Sequence, residues 1–574
     1  MQLTKGAIGN LINRYKAVLK KCHLLNVFGS LAVAGMLVMG GAGVAAAADV
    51  TWNDPSQDME VKAGDTLNIA GTLNPTTGSL SIAGGTVNIT APLNVDYNAV
   101  NNPTGRISMT GGTLNVKNSY AQVLGIDVDG GTVNVTDGDG SSLTSSFLLS
   151  YAGNKVDGEW SKGWDTTFSN ATVNLNAGTI FGAFTAQGGD YLTSLVFDEG
   201  TKVNMTGASL DKAGVIYASA YGPDSENHKK GVQLVVTGKD TEIDATGHGL
   251  ISAGKATLSD GARINVANNG QLDLAAFISK NTAISTALKS LPDGYGTFDV
   301  TSGASVNVAE GGTLNIHNVK LDVDGGNIAN AGVINLSHQG MLHVDSSQYT
   351  DLLQGEKAQV NVGTGTSLVL THDQGGTVDL TGKLSGTAAD GKISLADGST
   401  LAVNTATVLN EAAFDINANA SFRSLEAGTE EAGFTIKQGT VSIIEGLTVA
   451  GKKGLTIATG GTLKLDAQDA QSGTITAAQT TVNGGTLSVA SGTWNAETLT
   501  VEDGKVDIAG ATLKVSDLTT KDTGRVNLTE LGSALESNLA FAEDGTVTNI
   551  AADSLSSVAG SEVTFTGLDN VSKD

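Results

Sequence analysis

One short unit recurs along this chain and limits what it can fold into: two glycines, a threonine, then an aliphatic, a polar and an aliphatic residue. It occurs as Gly84-Gly85-Thr86-Val87-Asn88-Ile89, Gly111-Gly112-Thr113-Leu114-Asn115-Val116, Gly130-Gly131-Thr132-Val133-Asn134-Val135 and Gly311-Gly312-Thr313-Leu314-Asn315-Ile316. Later copies carry Asp379, Lys464 or Ser488 at the middle position. The triplet also stands without its glycines, as Leu67-Asn68-Ile69, Val173-Asn174-Leu175, Val203-Asn204-Met205, Ile264-Asn265-Val266, Val306-Asn307-Val308, Ile334-Asn335-Leu336, Val360-Asn361-Val362 and Val526-Asn527-Leu528. Alternation with period two puts both aliphatics on one face of a strand and the polar residue on the other. Val, Ile and Thr suit a pleated strand, and glycine supplies the positive φ of a tight corner.

A strand of four to six residues buries only two or three aliphatics, each worth about 1.5–3 kcal/mol. One unit therefore cannot stand alone, but stacked units cover one another. Spacing selects the stack. Asn68 to Asn88 is 20 residues, Asn88 to Asn115 is 27, Asn115 to Asn134 is 19, Asn315 to Asn335 is 20 and Asn335 to Asn361 is 26. A period in the twenties belongs to solenoids, whereas a propeller blade needs about 40–45 residues. The expected fold is all-β: a right-handed parallel β-helix over residues 63–565, the hand taken from the right-handed crossover rule. At about 22 residues per coil and about 4.8 Å of rise it has roughly 20 coils and a length near 100 Å. The repeated asparagines should form side-chain ladders or face solvent.

Three stretches break the rhythm. Residues 141–168 contain Phe147, Trp160 and Trp164; residues 217–231 read as a polar loop; residues 274–291 suggest a helix with Phe277, Ile284, Leu288 and Leu291 on one face and Pro292 as its stop. Insertions of this kind map to loops on a solenoid. Residues 49–62, with Trp52, Asp54, Pro55 and Asp58, are expected to cap the first coil, because an open strand edge templates aggregation. Residues 566–574 are read as a tail.

The first 48 residues read as a targeting segment. Lys5, Arg14, Lys16, Lys20 and Lys21 precede any acidic residue, Leu24 to Val44 is apolar, and Ala45-Ala46-Ala47-Ala48 leads to Asp49. A basic region, an apolar core and a small-residue end describe a secretory signal peptide, with cleavage between Ala48 and Asp49. Formal net charge is -25, from 33 basic and 58 acidic residues. Loss of five positive charges with the leader makes it more acidic still, which excludes a nucleic-acid partner held by a basic field. The one cysteine, Cys22, leaves with the leader, so no disulfide can lock the exported chain.

The extended leader, the cysteine-free acidic remainder and the Gly-Gly-Thr-Val-Asn-Ile coils together resemble the passenger region of autotransporter adhesins. The resemblance covers nearly the whole chain. It implies export across the inner membrane of a Gram-negative bacterium and display at the cell surface, release, or residence in the periplasm. It implies a non-catalytic rod for attachment, autoaggregation or biofilm growth, with a host-cell or bacterial surface ligand, protein or glycan, and self-association. The family ends in an outer-membrane translocator barrel; this sequence ends Leu568-Asp569-Asn570-Val571-Ser572-Lys573-Asp574 in repeat-like residues. The expectation is therefore a truncated passenger, a fragment or a passenger exported by a separate translocator, with a non-functional remnant as a further alternative. Asn74-Pro75 and Asn102-Pro103 echo the Asn-Pro motifs of the partner-secreted relatives.

Candidate chemistry is sparse. No Gly-Asp-Ser-Gly string marks a serine nucleophile, and spacing assigns no histidine and aspartate to triad roles. Asp127-Val128-Asp129-Gly130-Gly131 reads as a corner between coils. His317 and His338 lie 21 residues apart, about one coil, with His343 nearby, but no spacing fixes a third metal ligand. No cofactor, metal or catalytic residue is expected. The alternative, a carbohydrate-active β-helix enzyme, needs carboxylates clustered on one face of consecutive strands, whereas the acidic residues read as scattered over turns.

Overall fold

The computed structural model describes residues 48–75, 77–95, 105–150, 165–182, 193–218, 232–292, 296–345 and 349–371, the hairpin strands 153–156 and 159–162, and a series of strands between 378 and 566. Of the leader, only Ala48 falls among them.

Among the described residues the strands form two large sheets and one two-stranded hairpin. Every ladder within the large sheets is parallel. Following the chain from Lys255 shows the plan. Lys255–Ser259 pairs with Gly296–Val300, Arg263–Val266 with Ser305–Val308, and Gln271–Ala275 with Thr313–Ile316. One turn of the chain thus visits three faces before returning beside itself, which makes the molecule an all-β parallel solenoid. The first and second faces merge into one sheet because some strands run unbroken around the corner, as in Arg106–Lys117 and Gly125–Thr136.

Glycine makes those corners. Gly111, Gly112, Gly130 and Gly131 all hold positive φ. A Cβ on Gly112 would sit 2.2 Å from the Gly85 carbonyl oxygen of the coil before. The acidic stretch at Asp127–Gly131 is thus a corner. The repeat unit itself is not tied to one face. Thr86–Ile89 stacks on Thr113–Val116 of the second face, Thr313–Ile316 lies on the third, and Thr462–Leu465 is stacked on the first-face strand Gly439–Val449.

Alternation does the rest. The aliphatics of each triplet point inward and are buried: Val87, Ile89, Leu114, Val116, Val133 and Val135 have at most 0% exposure. Like residues stack upon like. Phe168 lies in register with Phe197, their rings 5.3 Å apart and nearly parallel. Each buried aliphatic contributes about 1.5–3 kcal/mol, and a coil contributes only because the coils above and below cover it.

The middle asparagines form the ladder expected of them, and the ladder has a direction. Asn88 Nδ2 donates to Asn68 Oδ1 at 2.8 Å, Asn115 to Asn88 at 2.8 Å, Asn134 to Asn115 at 2.7 Å, Asn174 to Asn134 at 2.7 Å and Asn204 to Asn174 at 2.8 Å. The later coil always donates to the earlier one. The first member of a run need only accept, so a carboxylate can start a run but not continue it. Asp244 starts the run through Asn265 and Asn307, and Asp273 starts the run through Asn315, Asn335 and Asn361.

The ends differ in detail from the sequence expectation. The segment 49–62 already contributes ladder strands: Ala48–Val50 pairs with Asp65–Leu67, and Met59–Lys62 pairs with Leu80–Gly84. Between them Trp52 is buried against the core, and its Nε1 donates to the carbonyls of Asp54 and Gln57. At the other end Val563–Thr566 still pairs in parallel with Ser537–Ala540.

The directional ladder makes a test. Asn134→Asp loses the donation to Asn115 and sets an oxygen against an oxygen, at a cost of about 1–3 kcal/mol. Asn68→Asp keeps its accepting role and should shift stability by less than about 0.5 kcal/mol. Paired denaturant titrations read the difference; equal losses at both positions contradict the assigned direction.

Candidate functional site

The outward side of the third face changes character along the solenoid. One column of outward positions reads Tyr120, Phe147, Thr179, Val215, Leu250, and then Asp273, Asn315, Asn335, Asn361, Ser394. The next column reads Leu149, Phe181, Tyr217, Ser252, Ala275. The early coils therefore present an apolar outer surface and the later coils a polar one.

The insertions cover the apolar part. Leu143, Ala213, Ile278, Ile284, Ala287 and Leu288 join Phe147, Phe181 and Tyr217 in a second hydrophobic cluster outside the barrel of the solenoid. Tyr120 stacks on Phe147 at 4.9 Å, Phe147 meets Phe181 edge-on at 5.6 Å, and Phe181 meets Tyr217 at 5.1 Å. Segments from three coils fasten together over these rings. Asp211 accepts from the Ser285 amide and hydroxyl, Leu143 N donates to the Lys280 carbonyl, and Tyr217 Oη donates to the Ile278 carbonyl. Burial pushes the Tyr217 phenol up to about 12.

These contacts correct the expected insertions. Phe147–Ser150 and Thr166–Asn176 are ladder strands, so the first break holds an antiparallel hairpin, Gly153–Val156 with Glu159–Lys162, which carries Trp160; Trp164 lies outside the described residues. Tyr217 and Ala218 belong to the strand Gly214–Ala218, and residues 219–231 lie outside the described residues. The third break contains a single helical turn, Ile284–Ala287, followed by a 3-10 turn at Leu288–Ser290. Ile284 and Leu288 are buried as the sequence suggested, but Phe277 precedes the helix and holds φ 58°.

The polar part of the third face begins under the edge of this cover, and four chemically active side chains, Asp273, His317, Ser337 and His338, meet there. Asp273 is 1% exposed. It accepts from Asn315 Nδ2 and from Gln271 Nε2, and His317 Nε2 lies 2.9 Å from its Oδ1. His317 Nδ1 lies 2.8 Å from Ser337 Oγ, and His338 Nδ1 lies 3.1 Å from the same hydroxyl. Register explains the meeting. His317 stands two residues beyond Asn315, and Ser337 two residues beyond Asn335, in the column where the coil below has the small Ala275. The imidazole leans back over Ala275 to reach Asp273 and faces Ser337 on the coil above. The 20 residues from His317 to Ser337 are one ordinary coil, but the 44 from Asp273 to His317 become neighbours only once the insertion at 276–292 is known to be extra.

The three histidines divide between two sites. His317 and His338 are adjacent, with ring centroids 5.8 Å apart, and both nitrogens of His317 are engaged by Asp273 and Ser337. Burial, then the neighbouring His317, lowers the His338 pKa. His343 is on the first face. Its Nδ1 lies 2.6 Å from Asp322 Oδ1 and its Nε2 3.2 Å from Thr371 Oγ1. Among the described residues no group of three such side chains is placed to hold a metal ion.

Asp299, Asp322 and His343 stack in one outward column on three consecutive coils. The acidic residues are therefore not all in turns, contrary to the sequence expectation. Burial and the nearby Asp322 raise the Asp299 pKa, opposed by Lys255 and Lys320. For Asp322 burial acts upward, but hydrogen bonds from Lys320 and His343 outweigh it and hold the carboxylate low. Asp322 is thereby tied up by its neighbours in an ion-pair network.

No protein-family model matches the sequence, and no curated protein is similar to it at a meaningful level.

The buried phenol sets a pH dependence. With a folded pKa near 12 against about 10 unfolded, Tyr217 lends stability in full below pH 10 and loses it as pH rises towards 12. Tyr217→Phe should remove that part of the alkaline decline while costing about 1 kcal/mol at neutral pH through the orphaned Ile278 carbonyl. Thermal melts of both proteins from pH 8 to pH 12 measure it; parallel curves refute the burial.

Proposed function

We propose that this protein is the exported, autotransporter-like passenger of a Gram-negative cell, built as a right-handed parallel β-helix of about 20 coils at about 22 residues each, and used as a rod for attachment and self-association. The observation that carries the reading is the in-register stacking of one short unit. It repeats equivalent outward positions once per coil, about 4.8 Å apart. A surface of repeated shallow contacts gains strength from number, through effective concentration, rather than from one deep site. Partners that fit are a surface protein or glycan, or another copy of the chain. The excess of acidic residues opposes nucleic acid.

Export fits the same physics. Each coil needs only its neighbour to fold against, so a solenoid can form progressively as it emerges from a pore. Cleavage between Ala48 and Asp49 leaves Asp49 and Val50 to pair with Thr66 and Leu67, and the first ladder survives processing. Outer-membrane passage calls for a translocator barrel, in the same polypeptide or on a separate partner. The carbohydrate-cleaving alternative has Asp299 and Asp322 to offer. Because Asp322 is already bound by Lys320 and His343, the stack suits a surface ion-pair network better than a carboxylate pair open to sugar.

Expression in cells carrying the native gene neighbourhood tests the proposal. The expected protein begins at Asp49 by N-terminal sequencing and is degraded by protease added to intact cells. A protein that keeps its leader, or is protected in intact cells and digested only after lysis of both membranes, contradicts it.

A further inference from the structure

We propose that Asp273, His317 and Ser337 form a nucleophilic acyl-transfer site on the third face of the solenoid, with Ser337 as nucleophile, His317 as general base and Asp273 as the group that positions the imidazole. The proposal is independent of the rod's role in attachment.

Hydrogen-bond valence assigns the protons. The Asp273 carboxylate only accepts, so the neutral His317 ring carries its proton on Nε2 and donates it to Oδ1, 2.9 Å away. Nδ1 is then a lone pair. It accepts from the Ser337 hydroxyl at 2.8 Å. His338 Nδ1, at 3.1 Å from the same oxygen, must in turn donate. A hydroxyl on a base, and the base held by a buried carboxylate, is the constellation that activates serine; it is recognised by geometry and roles, not by order in sequence. Exposure follows the roles. Asp273 is buried, the His317 side chain is 12% exposed, and Ser337 is half-buried at a corner whose next two residues are exposed.

The backbone at that corner points the same way. His338 and Gln339 hold φ 50° and 65°, the one place among the described residues where two successive non-glycine residues have positive φ. Comparable corners put glycine second, as at Glu199-Gly200, Asp260-Gly261 and Ser302-Gly303. Strain of this kind gathers at functional sites. Here it presents Ser337 at the outer edge of the rod.

The reaction class is hydrolysis of a carboxylic ester. Ser337 Oγ attacks the carbonyl carbon while its proton passes to His317 Nδ1. The tetrahedral intermediate expels the alcohol oxygen, which takes that proton. Water, deprotonated by the same nitrogen, then attacks the acyl-serine, releasing the carboxylic acid and the free hydroxyl. A half-buried nucleophile beside an exposed corner suits small acyl groups carried on an extended chain lying along the rod.

The test is a fluorophosphonate probe added to the purified protein, with the adduct located by peptide mass mapping. Attack by Ser337 forms the O–P bond, fluoride leaves, and His317 takes the proton. The expected result is an adduct at Ser337, lost in guanidinium-unfolded protein. His317→Gln should slow it at least about 100-fold, the contribution of a general base, and Asp273→Asn should slow it while preserving the asparagine ladder above. Circular dichroism confirms that each variant folds. No adduct at Ser337, labelling that survives unfolding, or an unchanged rate in folded His317→Gln overturns the proposal; if that variant does not fold, an unchanged rate in Asp273→Asn does so.

Discussion

Parallel stacking in register is the constraint from which the rest of this structure follows. Each outward or inward column sets residues of successive coils about 4.8 Å apart, so a residue must be able to neighbour its own kind. Aliphatics do this by packing, phenylalanines by stacking, and asparagines because one amide carries both donor and acceptor. Aspartate cannot donate, and the structure uses it accordingly. Asp244 and Asp273 stand at the start of asparagine runs, and the column that stacks Asp299 on Asp322 needs Lys320 and His343 to hold it.

The same rule explains where the solenoid is decorated. A column of apolar residues on the outside of a coil has no core to enter. Between Tyr120 and Leu250 the third face has such columns, and the chain covers them with segments 141–146, 206–213 and 276–292. Where the column turns to Asp273 and then asparagine, the cover ends. The boundary between the two regimes brings a buried carboxylate, an imidazole and a hydroxyl together, because His317 leans into the space left by Ala275.

Much of this was legible in the sequence. The period-two triplets identified the strands, their spacing in the twenties identified the parallel stack, and the middle asparagine identified the ladder. What sequence could not supply was register across an insertion. Asp273 and Asn315 are neighbours only after residues 276–292 are set aside, and the same holds for the approach of His317 to Asp273. The covered outer face did leave a signal. Phe147-Leu148-Leu149 and Val215-Ile216-Tyr217 are apolar without alternation, as strands buried on both sides must be, and they are buried throughout. The sequence suggests a helix over 274–291 where the structure has one helical turn at Ile284–Ala287, because apolar spacing does not distinguish a helix face from an irregular segment packed on the same surface.

The central claim is that successive coils lie side by side in one parallel register, and disulfide trapping tests it most directly. Thr86, Thr113 and Thr132 occupy the same outward column on three consecutive coils. With Cys22 replaced, cysteines at 86 and 113, or at 113 and 132, should oxidise to an intramolecular bond, since neighbouring parallel strands fall within the 4.4–6.8 Å Cα window of a disulfide. Cysteines at 86 and 132, two coils apart at roughly 10 Å, should not. Efficient bonding of the 86–132 pair with failure of the two adjacent pairs would contradict the solenoid.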